Sequence, residues 1–230
     1  MILDNFPHIL WINLDESIDR RNYMENLLNS QKLKHTRIKA INGLKWTDPE
    51  LKTFCIKNRM INSAENACTC SHFKALKYFI ENIPDDKIII FEDDVSFEFL
   101  ELIPFNWSQL EKNLPENYDV IQLAISVTSS SKKINCHLVK NTPGNKYYCT
   151  CAYLITKKAA QQILTNYYSN LVGRFDLSKH KWATADTALY SLPNTYSIPI
   201  FTYKGTESTI HNGHLHAHIT SKYWNTICIR

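Results

Sequence analysis

Apolar positions in the first half of the chain fall alternately into short continuous runs and helical-period stripes. His8–Leu14 (HILWINL) is a short buried strand. Ile18–Ser30 follows as a helix, capped by Asp15 and Ser17, with Tyr23, Leu27 and Leu28 on its apolar face. Lys34–Ile41 alternates as a second strand, and Asn42-Gly43 ends it as a turn. Ser71–Asn82 sets Phe73, Leu76, Phe79 and Ile80 on one helical face. After the Pro84-Asp85-Asp86 turn, Lys87–Phe91 (KIIIF) is a continuous apolar run suited to the centre of a sheet. This β-α-β-α-β order predicts an α/β fold with a mostly parallel sheet and helices on its faces. In the second half, Asp119–Ile125 and Tyr147–Ile155 read as strands, and Thr156 caps a helix running to about Tyr168. Asp186–Leu192 reads as a short helix and Ser197–Tyr203 as a last strand. Open α/β sheets bind ligands at the carboxyl ends of their strands, which directs attention to Leu14–Asp19, Asn42-Gly43 and Glu92–Val95.

Composition adds limits. With 230 residues, 44 % hydrophobic and 21 % charged, the chain suits one domain with a packed core, and no repeat or low-complexity linker divides it. The net charge of +4 comes from scattered Lys and Arg, in runs no longer than pairs such as Arg20-Arg21, Lys132-Lys133 and Lys157-Lys158. A nucleic-acid binder would gather them into a stripe, so no nucleic-acid partner is expected; the mild positive bias suits a small anionic substrate. Seven Cys is an odd number without disulfide-scaffold spacing, and most are expected as reduced core or near-site thiols. Cys68-x-Cys70-x-His72, with Cys149-x-Cys151 as a distant second pair, departs from the usual zinc spacing. No signal peptide and no apolar stretch of spanning length is visible, so no membrane span and a cytosolic location by default are expected. The sequence leaves the oligomeric state open.

The strongest local chemistry is Glu92-Asp93-Asp94, directly after the apolar strand. Three consecutive carboxylates repel one another unless a cation or hydrogen bonds compensate. At the end of a central strand they suit a hard divalent ion, Mn²⁺ or Mg²⁺, held by one or two carboxylates and substrate phosphates. A solvated acidic turn is the plain alternative. Four His in the eight residues His211–His218 could also serve a metal, with His211 first and His214 second; a solvated tail is the alternative, preferred for His216 and His218.

Six segments carry a family resemblance in order along the chain. They are Trp11–Arg21 (WINLDESIDRR), Ala67–Ala75 (ACTCSHFKA), Ile90–Val95 (IFEDDV), Thr150–Thr156 (TCAYLIT), Ala185–Tyr190 (ADTALY) and Glu207–Ile210 (ESTI). Together they resemble glycosyltransferase family 25, which includes bacterial lipooligosaccharide galactosyltransferases and collagen hydroxylysine galactosyltransferases. The resemblance implies a GT-A type, Rossmann-like single domain over 1–230, with a nucleotide-binding half (1–95) and an acceptor-side half (96–230). It also implies a UDP-sugar donor, inversion at the anomeric carbon, and a glycan or protein acceptor. The sequence departs from the family at Asp15–Ile18, where many members carry a basic residue.

Roles follow residue by residue. Asp94 is expected as the principal metal ligand, with Glu92 as first acid of the motif near the ribose or a metal-bound water. Asp93 is expected to face the turn. Asn13, Arg20 and Arg21 follow the first strand where the nucleotide should lie, and an Arg can pair bidentately with phosphate; Arg21 reads equally as a solvated first-turn residue. Asn42 is placed to hydrogen-bond the base or ribose. Ser71 and His72 are expected to open a helix whose free N–H groups face the diphosphate or sugar, unless Ser71 is only a cap. Asp186 is expected as the general base for the acceptor hydroxyl; an Asp capping a short helix is the rival. Lys45–Asn62 is left as a donor-side lid without a motif, and the Ser/Lys-rich Thr128–Lys146 as an acceptor loop. A metal-dependent phosphoesterase and a non-catalytic nucleotide-sugar-binding module are the rival functions.

Overall fold

In the computed structural model the described residues are 2–45, 49–126, 137–142 and 148–204. Their elements run β1 (Ile9–Asn13), α1 (Ile18–Ser30), β2 (His35–Lys39), α2 (Pro49–Phe54), β3 (Cys55–Ile56), α3 (Ser63–Asn82), β4 (Lys87–Glu92), β5 (Val95–Ser96) and α4 (Trp107–Lys112). The second half adds β6 (Val120–Gln122), β7 (Val139–Lys140), β8 (Ala152–Thr156), α5 (Lys157–Tyr167), β9 (Tyr168–Ser169), β10 (Arg174–Asp176), α6 (Ala185–Leu189), β11 (Thr195–Ser197) and β12 (Thr202–Tyr203). Short 3₁₀ turns join some of them.

Among the described residues the central sheet has seven strands in the order β2-β1-β4-β8-β6-β11-β7. β1, β2, β4, β6 and β11 run one way; β8 and β7 run against them. The sheet is therefore mostly parallel in direction, as the sequence pattern predicts. It is also continuous across residue 95, because β4 pairs with β8.

The central strands are apolar on both faces because both faces are covered. Leu10, Ile88, Ile90, Tyr153 and Ile155 point into one core with Phe73, Leu76 and Phe79 of α3 and Ala159, Ala160 and Ile163 of α5. Their neighbours Ile9, Trp11, Ile89, Phe91 and Leu154 point into the other, with Met24 and Leu28 of α1 and Trp107 and Leu110 of α4. This is the period-2 alternation of a strand buried on both sides. Each fully buried large side chain contributes about 1.5–3 kcal/mol by transfer from water.

Four expectations need correction. α3 begins at Ser63 and not at Ser71: Asn62 accepts from the Glu65 N–H at 2.8 Å while Glu65 accepts from the Asn62 N–H at 2.8 Å, a complete capping box. Ser71 and His72 are therefore interior helical residues, and their N–H groups are committed to the helix rather than open to a ligand. Ser17 stands at the N-cap of α1 but makes no side-chain capping bond. The expected strand Ser197–Tyr203 splits into β11 and β12, with Pro199 between them, since proline has no N–H for a ladder. β12 leaves the main sheet and pairs antiparallel with β5.

The expected lid region contains α2 and β3, and β3 joins β10 and β9 in a small second sheet. Most of Thr128–Lys146, and all of His211–His218, lie outside the described residues. No described helix is long and apolar enough to cross a membrane.

Candidate active site

The site forms where parallel β1 and β4 end together, Ile12 opposite Glu92. A cleft of about 470 Å³ opens there, walled by the residues after β1, the loop after β2, and one face of α3. Asn13, Arg20, Asn42, Ser71, His72, Glu92, Asp93 and Asp94 all line it. Eight of the residues singled out from sequence, drawn from four separate segments, thus share one wall. The loop after β2 is seated directly on α3: a Cβ on Gly43 would lie 2.7 Å from Ala64 Cα and 2.8 Å from Ser63 O. Only glycine permits that approach.

Asp93 does not simply face the turn. It is buried, accepting from Asn13 Nδ2 at 2.7 Å and from Arg20 at 2.8 Å. The Asn13 amide also donates to Ser17 O at 3.2 Å, and its Oδ1 accepts from Arg37 Nε at 2.9 Å. Asn13 is thus a junction tying β1, α1, β2 and the acidic turn together. Arg21 is not part of the cleft wall; it donates to Asp15 O at 2.7 Å. Asn42 bonds Glu16 and accepts from the Leu44 N–H at 2.8 Å.

Glu92 is held by two elements. It meets His72 Nε2 at 3.2 Å and accepts from Thr150 Oγ1 at 2.5 Å. The other His72 nitrogen, Nδ1, lies 3.0 Å from the Tyr153 hydroxyl. Burial alone would raise the Glu92 carboxyl; the His72 and Thr150 hydrogen bonds, with Arg20, outweigh it and hold it below its ordinary value.

Asp94 has no such support. Arg20 is 4.0 Å away and the Cys151 thiol 3.5 Å. Burial first, then repulsion from Glu92 and Asp93, pushes its carboxyl up to about 7. The charge of the cluster is therefore unbalanced at Asp94.

Asp186 sits in the first turn of α6 and is not among the residues lining the cleft; its carboxylate accepts the Cys149 N–H at 2.5 Å. Thr184, not Asp186, occupies the N-cap position. Burial raises the Asp186 carboxyl above its ordinary value, with Glu92 adding to the rise and His72 opposing it.

The pattern of glycosyltransferase family 25 (LPS biosynthesis protein) matches residues 6–179, three quarters of the chain and the whole cleft wall, while Asp186 lies beyond the match. The chain belongs to glycosyltransferase family 25. Among characterised proteins it is 28 % identical over 138 residues to a procollagen lysyl hydroxylase and glycosyltransferase of Acanthamoeba polyphaga mimivirus, covering 55 % of this chain and 14 % of that protein. It is 25 % identical over 179 residues to procollagen galactosyltransferase 2 of Mus musculus, covering 69 % of this chain and 27 % of that one. The chain thus spans a small part of both relatives. Solved structures resemble it weakly. A197 from STIV superposes with a TM-score of 0.42 at 12 % identity, covering 86 % of this chain and 84 % of that one. The galactosyltransferase LgtC in complex with donor and acceptor sugar analogs gives 0.39 at 12 % identity, covering 96 % of each.

Several residues of this family-25 site are not evident from the motifs. Thr150 and Tyr153 brace Glu92 and His72 from β8 and the residues before it, and the only local signal is their place in the TCAYLIT strand segment. Arg37 and Lys39 come from β2 and gather on Asp15 at 2.6 and 2.8 Å. Alternating basic residues on a short strand gave a weak hint of that cluster. Cys68, noted in the sequence for an unusual zinc spacing with Cys70 and His72, stands one helical turn before His72, and its Sγ belongs with His72 and Glu92 to a group whose ligand atoms lie within 4.8 Å of one another.

Proposed function

We propose that this chain is a metal-dependent, inverting hexosyltransferase of the GT-A type. It moves galactose or glucose from a UDP-sugar to a hydroxyl of a glycan or hydroxylysine-bearing protein. The observation that carries this reading is the run Glu92-Asp93-Asp94 at the carboxyl end of the central strand, inside a cleft of nucleotide-sugar size, in a family-25 chain.

Asp94 is the carboxylate best suited to Mn²⁺ or Mg²⁺. It is a hard oxygen donor whose charge is not offset by its surroundings, and a divalent ion there would relieve both the burial and the repulsion. Glu92 is the second candidate ligand. His211 and then His214, which lie outside the described residues, are the further ligands of this reading. When bound, the cation supplies charge neutralisation to a departing diphosphate.

The chain's own residues divide the remaining work. Arg20, fixed by Asp93, keeps a positive charge at the cleft floor, and Asn42 supplies a polar contact to the donor from the loop; Ser71 and His72 shape the helix wall, their side chains bonded to Ile41 N–H and Ala67 O and to Tyr153 and Glu92. Asp93 and Asn13 position rather than bind, because their side chains are already engaged with each other, with Arg20 and with Arg37. Arg21 acts through Asp15. Asp186 takes the acceptor's hydroxyl proton as the hydroxyl attacks; its raised carboxyl pKa makes it a better base than an exposed carboxylate. Residues 1–95 then carry most donor contacts and 96–230 the acceptor side.

The deciding experiment is UDP release from a panel of UDP-sugars, with Mn²⁺ and again with EDTA. Release from one sugar that EDTA abolishes is the expected result. No release from any donor, together with no UDP binding by calorimetry, overturns the proposal.

A further inference from the structure

Cys68 and His72 are four residues apart on α3, so their side chains stack on one face of the helix. Glu92 reaches the same point from the end of β4. The Cys68 thiol, a His72 ring nitrogen and a Glu92 carboxylate oxygen lie within 4.8 Å of one another. A tetrahedral zinc centre holds such ligand atoms roughly 3–4 Å apart, so small side-chain rotations close the trio on an ion.

Three further observations favour a ligand set over chance proximity. His72 is almost fully buried, at 1 % exposure, and its Nδ1 is engaged by the Tyr153 hydroxyl, leaving Nε2 aimed at the trio. That is the outer partner a metal-binding imidazole usually has. Glu92 is braced in turn by Thr150 at 2.5 Å. Both backbones are rigid: α3 has a complete capping box, and β4 is flanked by β1 and β8.

The geometry points to a soft-metal site: Cys68, His72 and Glu92 bind Zn²⁺, with the fourth position open to the cleft, separately from the hard-cation position at Asp94. Thiolate and imidazole select Zn²⁺ over Mn²⁺ or Mg²⁺. Binding displaces one proton, from the Cys68 thiol to solvent. Because Glu92 serves both positions, Zn²⁺ draws it away from the Asp94 ion and inhibits Mn²⁺-supported transfer. Only this last clause rests on the proposed transferase activity.

The test uses the full chain, freed of metal and without donor, titrated with Co²⁺ as a spectroscopic stand-in for Zn²⁺. The expected result is a thiolate-to-cobalt charge-transfer band that saturates at one ion per chain and is bleached by Zn²⁺. Cys68→Ser should abolish the band, while Cys136→Ser and Cys228→Ser should keep it. Tyr153→Phe should weaken Co²⁺ binding about tenfold, as loss of an outer partner does. Absence of the band, or its survival in Cys68→Ser, overturns the site. Should Cys68→Ser fail to fold, Glu92→Gln decides: a loss of at least about tenfold in Co²⁺ affinity supports the site, and an unchanged affinity overturns it. A chain that releases no UDP under any condition would sink the transferase reading and leave the cobalt result standing.

Discussion

Two charge clusters lie within a few residues of each other and are built on opposite rules. At Asp15 one half-exposed carboxylate meets Arg37 at 2.6 Å, Lys39 at 2.8 Å and Arg21 at 3.6 Å. Hydrogen bonds from Lys39 and then Arg37 hold its carboxyl down at about 2. At Glu92-Asp93-Asp94 Arg20 bonds Asp93 at 2.8 Å and reaches Asp94 only at 4.0 Å, and Asp94 rises to about 7. The first cluster is satisfied by the protein alone. The second is satisfied only in part, and its least supported member, Asp94, lines the cleft. Surplus charge that folding leaves unbalanced is the mark of a site awaiting a ligand; surplus cations around one acid mark a brace.

The sharpest way to break this contrast is Asp94→Asn. If the imbalance serves a cation, Mn²⁺-supported UDP release should fall by about 10²-fold or more, since a metal's charge stabilisation amounts to several kcal/mol. Circular dichroism should show an intact fold. Near-normal turnover in that variant would make the acidic run a structural turn. Asp186→Asn comes next: kcat should fall about 10²-fold, within the range of a lost general base, while the donor KM stays within a few-fold. A collapse of donor affinity with intact single-turnover chemistry would reassign it.

A third prediction concerns pH and the metal-free protein. Asp94 has a folded pKa above its unfolded value of 3.8, so the folded state keeps the proton longer. Its stability is then full below about pH 4 and declines as pH rises towards about 7, by a few kcal/mol at most. Urea melts in EDTA across that window should show the decline, and Asp94→Asn should flatten it. Asp15 has the opposite sign: its contribution is present above its unfolded value of 3.8 and lost as pH falls towards about 2. Being half exposed, it matters least. Asp15→Asn should cost no more than about 1 kcal/mol in a chemical melt, and a larger loss would show that the cluster is a structural keystone.

The first half of the chain was the more legible in sequence. Ile18–Ser30 is a helix with the expected bounds, and the KIIIF run lies at the sheet centre because strand length and apolar continuity are local properties. The start of α3 was missed for a physical reason. Ser63–Cys70 (SAENACTC) has small and polar residues in place of an apolar stripe, yet Asn66, Ala67, Thr69 and Cys70 are buried, packed by size rather than hydrophobicity. The Asn62…Glu65 spacing was the available signal, being a capping-box pattern. The bracing of the acids was not readable, because Arg20 and Asp93 are 73 residues apart and Thr150 and Glu92 are 58 apart. Candidate acids could be chosen from sequence. Which one is neutralised by the fold, and which is left over, depends on contacts that only the folded chain makes.

Cys149 links these themes through a single peptide. Its φ of 124° is a conformation that costs a non-glycine residue about 1–3 kcal/mol. Three bonds hold it there: its N–H donates to Asp186, and its carbonyl accepts from Gln122 Nε2 at 3.0 Å and from the Tyr190 hydroxyl at 2.7 Å. The Asp186 carboxylate is thereby moored to the sheet through β6 rather than to α6 alone.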